Sequence, residues 1–94
     1  MNTKPDIKPS LNILLVEDNM GDVLIFKEHL KHSGITFELT HSSNLKDALK
    51  QCIEKDFDVI LLDLGLPEST GLETLRKFPL TSIKSPVIVM TGLI

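Results

Sequence analysis

Residues 57–75 read FDVILLDLGLPESTGLETL. An unbroken apolar run, residues 59–62, leads straight into Asp63. A short continuous run of this kind suits a strand covered on both faces. Aspartate is a poor strand residue and is seldom buried unless paired. Gly65 and Pro67 then shape a loop, and Thr70-Gly71-Leu72-Glu73 reads as a capping box opening a short helix that Pro79 ends. The unit is therefore strand, acid, loop, helix, which is the building block of an α/β sheet.

The same unit recurs on both sides. LNILLV (residues 11–16) is another continuous apolar strand, broken by the polar EDNMGD. Val23, Phe26 and Leu30, with Leu24 and Ile25, then recur at helical spacing, and Gly34 stops that helix as a C-terminal cap. ITFELTH (residues 35–41) alternates apolar and polar, as a strand at a sheet edge does. Ser43 or Asn44 starts a second helix with Leu45, Ala48, Leu49, Cys52 and Ile53 as its apolar stripe. PVIVM (residues 86–90) is a fourth strand, with Pro86 where a strand can begin. Alternation of strands and helices predicts right-handed crossovers and a mostly parallel sheet with helices on both faces.

Composition narrows the class. A chain of 94 residues with 41% hydrophobic and 24% charged residues makes one small soluble domain. The net charge of −3 gives no reason to expect nucleic-acid binding by the domain itself. The single cysteine, Cys52, excludes an internal disulfide and reads as a small buried hydrophobe. Residues 1–10, polar and proline-containing, read as a flexible tail with no signal-peptide character, leaving residues 11–94 as the domain. No apolar run approaches the ~20 residues needed to cross a bilayer, so no membrane contact and a cytoplasmic location are expected.

In an open parallel sheet, ligands bind at the carboxyl ends of the strands. Glu17 and Asp18 follow the first strand, Asp63 the third, and Thr91 the fourth. Singly, Asp18 or Asn19 could cap the first helix and Asp63 could be a turn residue. If the first and third strands are neighbours, however, Glu17, Asp18 and Asp63 converge. Two like charges about 4 Å apart repel by ~4 kcal/mol at an effective dielectric of ~20, so the cluster calls for a neutralising partner. A hard divalent cation, Mg²⁺ or Mn²⁺, takes such oxygen ligands and keeps positions open for phosphate. Asp63 could then attack phosphorus as a nucleophile, with Thr91 donating its hydroxyl to a phosphoryl oxygen. Gly65 lets its backbone carbonyl turn towards the metal at little steric cost.

These residues carry a resemblance. ILLVEDN, VILLDLGLPESTGLE and PVIVMTG resemble the signature segments of receiver domains of two-component response regulators, over about residues 11–92. The resemblance implies a flavodoxin-like, doubly wound parallel sheet in the order 2-1-3-4. It implies Asp63 as phosphoacceptor and Glu17 and Asp18 as the acidic pair. It also implies Gly65 as the carbonyl ligand and Thr91 as the switch hydroxyl. A sensor histidine kinase or a phosphotransfer protein is the implied donor. The role is that of a phosphoacceptor with Mg²⁺-dependent self-phosphorylation and dephosphorylation, not of a classical enzyme. EDNMGDVLIFKEHL is further similar to short stand-alone receivers that partner phytochrome-type sensor kinases.

Receivers carry a further helix, strand and helix, with a lysine ending the fifth strand. The chain stops at Ile94, so this last helix-strand-helix is expected to be missing and no residue here takes the lysine's role; Lys84 precedes the fourth strand, at the wrong end of the sheet. An uncovered fourth strand is an association hazard, and self-association through its edge is expected. The alternative function is a receiver-like interaction or dimerisation module that no longer signals by phosphate. A flavin-binding reading is disfavoured by the acidic EDNMGD, and an aspartyl phosphatase by Gly65 where a second acid is wanted. A Walker-type loop is absent from the sequence. His29 and His32 read as a solvated helix face, and His41 receives no role.

Overall fold

β1 (Leu11–Val16) organises the molecule, because its side chains sort by parity onto two faces. Leu14 and Val16 pack with Leu45, Ala48, Phe57, Ile60 and Leu62 on one side. Ile13 and Leu15 pack with Val23 and Leu61 on the other. Four of these β1 residues are essentially inaccessible, so the strand is central, as its unbroken apolar run predicts. The structure is a computed structural model describing residues 10–63, Arg76 and residues 84–90.

The elements follow as α1 (Met20–His32), β2 (Phe37–Ser42), α2 (Leu45–Glu54), β3 (Val59–Asp63) and β4 (Val87–Met90). All neighbours pair in parallel, in the order β2-β1-β3-β4. This is the doubly wound, flavodoxin-like arrangement with the expected strand order. Val23, Phe26 and Leu30 place α1 on one face, while Leu45, Ala48, Leu49 and Cys52 place α2 on the other. The third helix expected from Thr70 to Pro79 lies outside the described residues, apart from Arg76, which is helical. No helix among the described residues is long and apolar enough to cross a membrane.

Local chemistry sets the boundaries. Asn19 caps α1 by accepting from the Asp22 amide at 3.1 Å, and Asn44 caps α2 by accepting from the Asp47 amide at 2.8 Å. Gly34, at φ +81°, takes the left-handed turn that releases the chain from α1. At the amino end of the sheet, Asp58 accepts from the Asn12 amide with its side chain and donates its own amide to the Asn12 carbonyl, both at 2.7 Å. This exchange fixes the β1–β3 register, Val16 opposite Leu62, that brings the carboxyl ends level.

The structure corrects several details. β2 begins at Phe37 and not Ile35, because residues 35 and 36 are spent leaving the Gly34 turn; Ile35 is exposed. Leu24 and Ile25 point outward from α1, and Ile53 is 85% exposed although its spacing fits the α2 stripe. It lies in the last turn of α2, directly after Cys52, which still packs against the core. Cys52 is half-buried against the core and not fully enclosed.

Candidate metal centre

The register delivers the site. Asp63 is the last residue of β3 and lies opposite Met90 of β4. Val16 of β1 lies opposite Leu62, so Glu17, the next residue of the chain, leaves the sheet beside Asp63. One ligand oxygen from each of Glu17, Asp18 and Asp63 lies within 4.8 Å of the others. Glu17 and Asp63 are buried, whereas Asp18 is exposed and forms the open side of the cluster. The predicted convergence of the three carboxylates is thus present.

Burial governs the electrostatics. Glu17 is pushed from 4.5 up to about 7, first by loss of solvent and then by the charge and hydrogen bonding of Asp63. The Asn19 amide, donating to Glu17 Oε2 at 3.1 Å, pulls in the opposite direction and loses. A buried acid raised by burial and a neighbouring carboxyl group favours its neutral form, and a bound cation would instead favour the charged one. The donor set is all oxygen and one side is open, which suits a hard divalent ion and not a soft one.

The backbone around Glu17 is held at two points by β2. Its amide donates to the Ser42 carbonyl at 2.9 Å, and its carbonyl accepts from His41 Nε2 at 2.6 Å. Ser42, itself buried, donates its hydroxyl to Asp47 Oδ2 at 2.7 Å, tying this end of β2 to the first turn of α2. Asn19 extends the chain of bonds into α1 through its cap on Asp22. A Cβ on Gly21 would meet Asn19 Oδ1 at 3.0 Å, so a larger residue there would press on the same cap.

Two predicted site residues, Gly65 and Thr91, lie outside the described residues. The sequence reading missed Asn19 and His41 as partners of Glu17. The available signal was position: His41 is the penultimate residue of β2, at the same carboxyl edge as the acids. His29 and His32 stay on the outer face of α1, and His32 lies 3.5 Å from Glu28, consistent with a solvated face.

The sequence pattern of the response regulator receiver domain matches residues 13–93. The chain belongs to that family. Among curated relatives of this receiver, the transcriptional regulatory protein ZraR of Salmonella typhimurium is 32% identical over 86 residues, covering 92% of this chain and 19% of the relative. The cell cycle response regulator CtrA of Brucella ovis is 45% identical over 83 residues, covering 88% of this chain and 35% of the relative. This receiver therefore spans well under half the length of those relatives. In solved structures, the MaeR response regulator bound to beryllium trifluoride superposes with a TM-score of 0.73 at 28% identity, covering 85% of this chain and 66% of that one. The phosphorylated cyanobacterial phytochrome response regulator RcpA superposes with a TM-score of 0.66 at 30% identity, covering 85% and 64%.

Proposed function

We propose that this receiver accepts a phosphoryl group on Asp63 from a sensor histidine kinase or a phosphotransfer protein in the cytoplasm. The observation that carries the reading is the convergence of Glu17, Asp18 and Asp63 within 4.8 Å at the carboxyl edge of the sheet. Asp18, Asp63 and the Gly65 carbonyl would hold Mg²⁺ or Mn²⁺, with Glu17 acting directly or through a water. The ion would neutralise the phosphoryl oxygens. The Asp63 carboxylate forms the new oxygen–phosphorus bond as the donor's phosphorus–nitrogen bond breaks, and the electron pair leaves with the donor imidazole. Thr91, next in sequence after β4, supplies a hydroxyl donor to the transferred group. The likeness to RcpA supports a donor kinase of the phytochrome type. Residues 11–94 form the signalling unit on this reading.

The test is Mg²⁺-dependent incorporation of phosphate from acetyl phosphate, together with binding of beryllofluoride. Both are expected in the wild type and absent from Asp63→Asn. Equal incorporation by the variant would overturn the assignment.

A second reading rests on β4. Ile88 is 52% exposed and Val89 38%, on opposite faces of the last strand in the described sheet. Apolar side chains on a strand edge favour pairing with another chain. On this reading the chain is an interaction module that self-associates through β4. Light scattering after size exclusion is expected to show a dimer or larger species, and a stable monomer at high micromolar concentration would refute it.

A further inference from the structure

We infer that His41 is a positioning residue for the acidic cluster: its ring fixes the Glu17 backbone and thereby sets the two carboxylates that follow β1. The inference rests on the metal-site reading of Glu17, Asp18 and Asp63. It concerns a residue on a different strand from all three.

In a parallel ladder, evenly spaced bonds run alternately from and to a given residue. The β1–β2 ladder ends with the Glu17 amide donating to the Ser42 carbonyl at 2.9 Å. The next bond, into the Glu17 carbonyl, would come from the backbone of residue 44. That residue is Asn44, whose backbone begins the turn into α2 as its N-cap. The described structure gives the role to a side chain, with His41 Nε2 at 2.6 Å from the Glu17 carbonyl oxygen. A carbonyl oxygen only accepts, so Nε2 is the donor and carries a proton in this bond.

The consequence is specific to this place. Glu17 leaves a central strand and would otherwise begin a loop with one backbone group tied and the other loose. With both tied, the Glu17 carboxyl group is held where Asn19 donates to it at 3.1 Å, and Asp18 follows from a fixed peptide. Partners behind metal-ligating residues typically set affinity by orienting them. Phe37 and Leu39 share the His41 face of β2 and pack towards α1, so the ring reaches Glu17 from a packed surface and not from a free loop.

The experiment compares wild type, His41→Phe and His41→Gln. Phenylalanine keeps an aromatic ring without a donor, and glutamine restores a donor without the ring. The first readout is amide hydrogen exchange at Glu17 and Asn19 in the metal-free chain. Exchange is expected to rise about fivefold in His41→Phe, the worth of one hydrogen bond, and to return towards wild type in His41→Gln. The second readout is Mn²⁺ affinity by electron paramagnetic resonance, expected to fall about tenfold in His41→Phe and to recover in His41→Gln. Unchanged exchange in His41→Phe overturns the inference, as does equal loss in both variants. A wild type that shows the exchange pattern but binds no Mn²⁺ refutes the metal-site reading and leaves the backbone clamp standing.

Discussion

Glu17 and Asp63 hold two buried carboxyl groups together across the β1–β3 pair, and the burial of Glu17, reinforced by this contact, gives the metal-free protein a pH dependence. Glu17 is raised from 4.5 to about 7, by burial first and by Asp63 next. Between those values the folded state keeps a proton that the unfolded state has released. Stability is therefore fullest below the unfolded value and is lost as pH rises through about 7. The loss is up to about 3 kcal/mol, the free-energy equivalent of that shift. Urea unfolding in chelator is expected to give a lower stability near pH 8 than near pH 5. Glu17→Gln should flatten that difference, and an unaltered slope in the variant would contradict the assignment to Glu17.

A cation reverses the sign, because ligands bind metal in their deprotonated form. With Glu17 titrating near 7, Mg²⁺ affinity is expected to be about tenfold higher near pH 8 than near pH 6. Calorimetry in buffers of differing ionisation enthalpy should register proton release on binding near neutral pH. Pairing the ion with the cluster also predicts that Mg²⁺ raises the unfolding midpoint more at the higher pH, by mass action on the folded state.

Removing the charge of Asp63 tests the same contact from the other side. Asp63→Asn takes away the neighbour that raises Glu17 and offers an amide donor in its place. The metal-free variant is expected to gain stability near neutral pH by on the order of 1 kcal/mol. It should bind Mg²⁺ more weakly and accept no phosphate. A variant that was destabilised, with its Glu17 titration unmoved, would mean that the two carboxyl groups are coupled less closely than their positions indicate.

Much of this arrangement is written plainly in the chain. The apolar runs of β1 and β3 mark strands buried on both faces, and the alternation of β2 marks an edge, because burial imposes a period on residue choice. The acids at the strand ends follow from the same reading, since parallel strands put equivalent positions on one edge. Ile53, Leu24 and Ile25 mislead because helical spacing identifies a face but not where the partner surface ends. His41 is illegible for a different reason. Its bond to Glu17 depends on the β1–β2 register and on the chain turning into α2 two residues later, and neither is encoded in the histidine's immediate neighbours.

Leu14 and Ile53 separate those two kinds of signal experimentally. Both are large aliphatic residues that fit an apolar pattern. Leu14 is fully enclosed between β3 and α2, whereas Ile53 is 85% exposed. Leu14→Ala leaves a cavity in a core that cannot readily collapse around it, and is expected to cost about 2–5 kcal/mol. In a domain of this size, such a loss could consume most of the stability. Ile53→Ala removes little packing and places the best helix former in the last turn of α2, so its effect should stay within about 0.5 kcal/mol. Chemical denaturation of the two variants beside wild type is the measurement. Equal losses would show that Ile53 is covered in solution, which would point to association over the α2 face.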